Sequence, residues 1–190
     1  MSRTSSTKGP RGKNAVDRLL AGRVLEGRPL MFLDIDGVLC HGNGYDSYNV
    51  DPRSPPLDLW GQTSRQTLLT IVEEFRPWVI ISSSWQKVMN KEELMFVFRA
   101  TGLREVADAL HPRWSAAQSV NDSRLQAIQR WLFAHYEGGH LAVVDDVLSG
   151  TGLRGSALDR AGRVVLCEPA RGLGSEHLPA LRGALACPVS

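Results

Sequence analysis

The stretch that decides the fold is Leu30-Met-Phe-Leu-Asp-Ile-Asp-Gly-Val-Leu39. Its apolar residues run straight into Asp34, which predicts a central strand of a parallel sheet that is covered on both faces. Gly37 then lets the chain turn. In open α/β sheets, ligands bind outside the carboxyl ends of the strands. We therefore expect Asp34 and Asp36 to lie where such a fold carries its chemistry.

The spacing of these two acids indicates a shared site. Side chains two residues apart in an extended strand lie on the same face, so both carboxylates reach one site unless the backbone curls after Asp34. Two carboxylates this close repel each other unless a cation lies between them or one is protonated. A hard cation with oxygen ligands, magnesium above all, fits this pattern. The alternative is a solvated pair of acids in a loop.

Length and charge limit the class of protein. The 190 residues fit one domain, and 43% hydrophobic and 22% charged residues are ordinary for a globular protein. Residues 1–13 carry four of the 22 basic residues and no acid. The remainder of the chain therefore has 18 basic residues against 20 acids and is slightly acidic. Charge therefore argues against a basic nucleic-acid-binding body. We expect a disordered tail at 1–13 and one domain at 14–190.

The cysteines and the lack of long apolar runs indicate the cellular setting. No run of about 18 apolar residues is present, which predicts no membrane span, and the N-terminus lacks a signal-peptide pattern. Cys40, Cys167 and Cys187 suit neither a metal-binding pair nor a disulfide framework. We therefore expect a reducing, cytoplasmic location. Cys40 has no base nearby except His41, so we interpret it as a small buried residue and not as a nucleophile.

Periodicity predicts the other elements. Apolar residues at helical spacing predict helices, and continuous apolar runs predict buried strands. The predicted helices are 14–25, 63–75, 90–100 and 122–134, and the strands after the first are 78–82, 140–146 and 163–167. This order predicts an α/β fold, a doubly wound (Rossmann-like) parallel sheet with helices on both faces.

Polar side chains end two of these strands. They are Ser82 and Ser83 after one strand, and Asp145 and Asp146 after another. The serines alone are equally consistent with a turn that caps the next helix. Arg124 stands in the first turn of a predicted helix, where the helix dipole disfavours a cation, which points to a functional role.

Residues 40–61 form a long segment rich in Gly, Pro, Asp and Tyr. A loop of this length in a compact domain is usually functional or mobile. Because it leaves the strand beside the acid pair, we predict a flap insert that folds over the site without contributing to the core. The flap aromatics Tyr45, Tyr48 and Trp60 either stack on a nucleobase or pin the flap to the body.

In this order, the motifs resemble those of the haloacid dehalogenase (HAD) superfamily. The apolar strand ending Asp-x-Asp-Gly-[Val/Thr] matches residues 34–38. The second motif is a strand ending in Ser or Thr, matched by Ser82 or Ser83. The third is a basic residue at the start of a helix, matched by Arg124. The fourth is a strand ending in acids, matched by Asp145 and Asp146. The third motif commonly has Lys, so Arg113 and Arg130 remain alternatives to Arg124. The resemblance covers residues 29–183 and includes small capless bacterial and phage proteins related in pattern to polynucleotide-repair phosphatases.

The resemblance implies a phosphatase that works through an aspartyl-phosphate intermediate. Asp34 would be the nucleophile, and Asp36 would protonate the leaving oxygen and then activate water. The implied magnesium ligands are Asp34, the backbone carbonyl of Asp36, and Asp145 or Asp146.

The remaining implied roles concern the phosphoryl group and the substrate. A hydroxyl of Ser82 or Ser83 would hold a phosphoryl oxygen, and Arg124 would offset its charge. Only about 40 residues separate the first two strands, which leaves no room for a full cap domain. Capless members often act on large substrates, so the expected substrate is a nucleotide, a nucleic-acid end or a phosphorylated metabolite. A phosphotransferase and a non-catalytic phosphate-binding module are the alternatives.

Overall fold

The computed structural model describes residues 27–42, 44–136 and 138–186. The tail predicted at 1–13, the helix predicted at 14–25 and Cys187 lie outside these residues. The strands are β1 Leu30–Leu33, β2 Trp78–Ile81, β3 Leu110–Ser115, β4 Leu141–Asp146 and β5 Val164–Cys167. The α-helices are α1 Gln62–Phe75, α2 Lys91–Ala100, α3 Arg104–Asp108, α4 Arg124–His135, α5 Ala157–Arg160 and α6 Leu178–Leu185.

The five strands form one parallel sheet in the order β3-β2-β1-β4-β5. β1 is central because it pairs with β2 on one side and with β4 on the other. The chain runs from β1 outward to β3 and then returns to β4, so the winding direction reverses between β1 and β4. Ligands bind at such a switch point in doubly wound sheets. The predicted α/β fold is confirmed.

Side chains of β1 alternate between two cores, as the pleat of a strand requires. Met31 and Leu33 pack in a core with α1, α2 and α6, whereas Leu30 and Phe32 pack in a second core with α4. Phe32 meets Trp131 of α4 edge to face, with ring centroids 5.3 Å apart. The helices therefore cover both faces, and the strand is buried up to its last residue.

The prediction of four strands is wrong, because β3 was missed. Its sequence, Leu-His-Pro-Arg-Trp-Ser, has no continuous apolar run, and most of its residues are partly or fully exposed. β3 is an edge strand with an irregular register against β2, and an edge strand tolerates the missing backbone donor of Pro112. The short helices α3, α5 and α6 were also absent from the sequence-based assignment.

Residues 40–61 contain no helix or named strand in the part that is described. The expectation that this flap does not contribute to the core is wrong, because Val50, Leu59 and Trp60 are buried in it. No cap domain is inserted between the described strands. Among the helices described, none is long and apolar enough to cross a membrane.

Candidate active site

The backbone curls directly after Asp34. The carbonyl of Ile35 accepts hydrogen bonds from the amides of Leu39 and Cys40 at 2.8 and 3.0 Å, which closes a tight turn. The curl separates the two acids of the motif, because the carboxylate of Asp34 and that of Asp36 contact different residues. Of the two geometries that the sequence left open, the curled one is present.

Asp34 is buried at the switch point, with 1% of its surface exposed. Its Oδ1 lies 3.3 Å from Nη2 of Arg124, and its Oδ2 lies 2.8 Å from the hydroxyl of Ser149. Burial raises the pKa of Asp34, and the Arg124 charge and the Ser149 hydrogen bond oppose this rise. The side chain is thus an acceptor held between a cation and a hydroxyl.

Asp145 and Asp146 complete a cluster of three buried carboxylates with Asp34. One oxygen from each lies within 4.8 Å of the others. Burial, and next the charge of Asp34, raise the pKa of Asp145 to about 8. Arg124 contacts the cluster again through Nε, 2.8 Å from Asp145 Oδ2. One guanidinium would not balance the three carboxyl groups if all were ionised, so this donor set fits a hard divalent cation.

Ser149 is a site residue that the sequence analysis missed. Its hydroxyl lies 2.8 Å from Asp34 Oδ2 and 2.9 Å from Asp145 Oδ1, and it also contacts Asp146. A turn places it there, since Asp146 Oδ1 accepts hydrogen bonds from the amides of Leu148 and Ser149 at 2.7 and 3.1 Å. Such a turn is typical of Asp, so a hydroxyl three residues after paired acids was the available signal.

Arg124 reaches the cluster because α4 begins at this residue. Ser123 caps the helix by accepting from the amide of Gln126, whose side chain bonds back to Ser123. Arg124 is 4% exposed, and its ion pairs with the acids offset its unfavourable position in the helix dipole. Of the alternatives, Arg130 pairs with Asp122 at the surface and Arg113 is exposed. Arg124 is therefore the one of these three arginines that contacts the acid cluster.

Asp36 is held by two residues that follow β2. Ser84 Oγ donates to its Oδ2 and Trp85 Nε1 donates to its Oδ1, each at 2.8 Å. Ser47, from the flap, lies 3.0 Å from the Ser84 hydroxyl. Burial raises the pKa of Asp36, and the hydrogen bonds from Trp85 and Ser84 oppose this rise. No role for Ser47, Ser84 or Trp85 was predicted from the sequence.

Ser82 and Ser83 follow β2 next to the end of β1, where the Ser82 amide bonds to the Leu33 carbonyl at 2.9 Å. Both side chains are buried, and neither hydroxyl has a hydrogen-bond partner within the described part of the chain. Ser83 nevertheless lies near enough to Asp34 to favour its charged form. Buried hydroxyls without partners are rare in folded proteins and are suited to a ligand.

A family model described as "HAD domain in Swiss Army Knife RNA repair proteins" matches residues 30–178. The chain belongs to this family. The match runs from β1 to the first residue of α6 and includes every site residue described above. Searches of curated proteins and of solved structures found no match. The resemblance to the HAD superfamily is thus confirmed, and membership indicates a phosphatase-type hydrolase.

Gly37 of the HAD motif lies in the backbone turn after Asp34 and also packs closely against the acid cluster. Its φ of +73° is a conformation that L side chains rarely adopt. A Cβ at this position would lie 3.1 Å from Asp146 Cβ and 3.2 Å from Asp146 Cγ. Glycine is therefore favoured here both by the backbone conformation and by the close approach of Asp146.

Cys40 of the HAD domain is buried, as expected for a small packing residue. Its thiol donates to the Tyr45 carbonyl at 3.0 Å. Burial, together with the charges of Asp36 and Asp46, raises its pKa to about 12. Since the thiolate is the nucleophilic form, Cys40 is not suited to attack a substrate.

Proposed function

We propose that this HAD domain is a magnesium-dependent phosphomonoester phosphatase that works through an aspartyl-phosphate on Asp34. One observation carries the proposal: two acids of one motif are held in different environments. Asp34 contacts the Arg124 guanidinium and lies beside two further acids, whereas Asp36 accepts hydrogen bonds from two neutral donors, Ser84 and Trp85. When two carboxyl groups of a site lie in contrasting environments, one can act as the nucleophile and the other as the general acid.

In the first step, an Asp34 oxygen attacks phosphorus and the bond to the leaving oxygen breaks. Arg124, which already contacts Asp34 Oδ1, would offset the charge that spreads over the phosphoryl oxygens. The buried hydroxyls of Ser82 and Ser83 are two donors that could bind a phosphoryl oxygen. Water then attacks the phosphorus and releases Asp34 and inorganic phosphate.

Asp36 would transfer the protons of both steps. It gives its proton to the leaving oxygen and afterwards takes one from the attacking water. Trp85 Nε1 can only donate, so it orients the carboxyl group in either protonation state. The Ser84 hydroxyl both donates and accepts, so it can remain bonded to Asp36 when the proton moves.

The residues fit a magnesium ion. Asp34, Asp145 and Asp146, with the backbone carbonyl of Asp36, would hold it. The ion would supply charge neutralisation for the buried carboxylates and for the phosphate that joins them. Burial and the close approach of the other carboxyl groups raise the pKa of Asp145 to about 8, which supports the assignment.

The substrate we propose is a phosphorylated nucleic-acid end, which fits the RNA-repair description of the family and a site without a cap domain. A phosphorylated metabolite and a phosphotransfer reaction are the competing candidates. The buried cysteines Cys40 and Cys167 suit the reducing, cytoplasmic setting that we propose.

A phosphate-release screen tests the proposal. We expect release from 3′-phosphorylated oligonucleotides with magnesium, and loss of release with EDTA. Nucleotides and sugar phosphates serve as competing substrates. Asp108→Asn, at an exposed ion pair on α3, is a control that should leave the rate unchanged. Phosphate release that persists in EDTA, or transfer of phosphate to an added alcohol in place of release to water, would contradict the proposal.

A further inference from the structure

A braced turn at Asp46–Asn49 brings the flap to the site. Asp46 Oδ1 accepts from the amides of Tyr48 and Asn49 at 2.8 and 3.2 Å. The Asn49 side chain accepts from the Asp46 amide at 2.9 Å and donates to the Gly44 carbonyl at 2.8 Å. These reciprocal bonds fix Ser47 and Tyr48 at the centre of the turn, and the Ser47 hydroxyl joins the turn to the body at Ser84.

The two central residues have opposite environments. Ser47 is 3% exposed, and its hydroxyl lies 3.0 Å from that of Ser84, which donates to Asp36. Tyr48 is 77% exposed, and its Cα lies about 3.8 Å from that of Ser47 along the chain. The Tyr48 side chain is thus exposed to solvent next to Ser47, whose hydroxyl is linked through the Ser84 hydroxyl to Asp36.

The other flap aromatics do not share this position. Trp60 donates to Thr101 Oγ1 at 2.7 Å and packs against Trp85 and Phe98. Tyr45 is partly buried against the core. Of the three aromatics, Trp60 and Tyr45 therefore pin the flap, and Tyr48 is free for a ligand.

We propose that Tyr48 is a specificity-determining residue that stacks on the terminal nucleobase of a phosphorylated RNA end. The inference rests on the proposed function, in which Asp36 protonates the leaving oxygen. For such a substrate the leaving oxygen is carried by the terminal nucleoside, so this nucleoside would lie beside Asp36. The turn that carries Tyr48 is joined to Asp36 through Ser47 and Ser84.

The charge of the flap favours a base over a phosphate as the contact. Residues 40–61 carry three acids, Asp46, Asp51 and Asp58, against the single arginine Arg53. This acidic segment repels a phosphate backbone. Base stacking on an aromatic ring needs no charge and tolerates any base sequence.

The test compares two 3′-phosphorylated RNA oligonucleotides that differ only in whether the terminal nucleotide carries its base. We expect Tyr48→Ala to raise KM for the base-bearing end about fivefold or more, in line with the loss of one stacked base. KM for the abasic end should stay unchanged, and Tyr48→Phe should behave as wild type because stacking does not use the hydroxyl. Phe133→Ala, at an 84% exposed position on α4, is the matched control and should change neither KM.

The outcomes separate this inference from the proposed function. Equal KM values for Tyr48→Ala and wild type on both RNAs would overturn the role of Tyr48 while leaving the phosphatase intact. A selective loss on a phosphotyrosine peptide, with none on RNA, would also overturn it, because the stacked group would then be a protein side chain. Failure of the wild-type protein to release phosphate from any phosphomonoester would overturn both.

Discussion

The Ser149 hydroxyl lies 2.8 Å from Asp34 Oδ2 although 115 residues separate the two in the chain. The same oxygen contacts the carboxylates of Asp145 and Asp146. A hydroxyl has one proton, so it can donate to only one of these three acceptors at a time. Ser149 can thus donate a hydrogen bond to only one of the three carboxylates at a time. A cation would interact with all three.

We expect Ser149→Ala to destabilise the metal-free protein more than the magnesium-loaded protein. Removing the hydroxyl leaves a buried carboxylate without its donor, at a cost of about 1–3 kcal/mol, which magnesium would offset. Thermal unfolding with EDTA and with magnesium measures the difference. Ser156→Ala, which removes the cap of α5, should cost about 0.5–2 kcal/mol under both conditions. Equal losses for Ser149→Ala in the two conditions would contradict a metal in contact with this cluster.

The paired acids after β4 give a second prediction. Replacing Asp145 and Asp146 together by Asn keeps the shape and removes two buried charges, so magnesium affinity and activity should fall together. Calorimetric titration of magnesium measures the affinity, and Asp108→Asn serves as the exposed control. Unchanged magnesium affinity in the double variant would remove the pair from the metal site.

Gly37 and Gly155 offer a matched pair of substitutions. Both have positive φ, at +73° and +70°, but a Cβ at Gly155 would meet nothing within 4 Å. Gly155→Ala should therefore cost only the backbone strain, about 1–3 kcal/mol. Gly37→Ala should lose more stability and also magnesium affinity, because its Cβ would press on Asp146. If both variants kept wild-type magnesium affinity, the close approach of Gly37 would not position Asp146.

Cys40 is expected to be inert in the folded protein. With a pKa of about 12, only about one thiol in ten thousand is a thiolate at pH 8. Iodoacetamide at pH 8 should leave Cys40 unmodified in the native protein and label it in concentrated urea, as measured by peptide mass spectrometry. Native labelling of Cys40 that abolishes phosphate release would support a catalytic thiol instead.

The sheet was largely predictable because four of its strands carry local signals. β1, β2, β4 and β5 are apolar runs that end at turns or polar residues, which is the pattern of a strand covered on both faces. β3 lacks that pattern because most of its side chains are partly or fully exposed. Its position follows from pairing with β2, which is a tertiary contact.

The site residues likewise fall into those that were predictable from the sequence and those that were not. Asp34, Arg124 and the Asp145–Asp146 pair stand at the ends of predicted elements, so the topology of the sheet was enough to bring them together. Ser149 and Ser84 act through side-chain contacts that span 115 and 48 residues. Those contacts depend on turn geometry, for which periodicity carries no information.

The amino-acid composition of the flap led to a wrong prediction about the core. Its Gly, Pro and Asp content indicated a segment separate from the core, yet Val50 and Trp60 are buried. Replacing residues 43–58 by a short linker would remove Val50 from the core, so such a deletion should lower the melting temperature. Tyr48→Ala, at an exposed position, avoids this loss and is the cleaner test of the flap.

The covalent role of Asp34 is the central claim, and trapping the phosphorylated protein tests it most directly. The protein is mixed with a ³²P-labelled 3′-phosphorylated oligonucleotide and magnesium, quenched in acid, and the label on the protein is counted. We predict a label that hydroxylamine removes, as expected of an acyl phosphate, and neither label nor turnover in a folded Asp34→Asn variant, because the amide cannot form that bond. Phosphate release by Asp34→Asn at more than a small fraction of the wild-type rate would contradict the account.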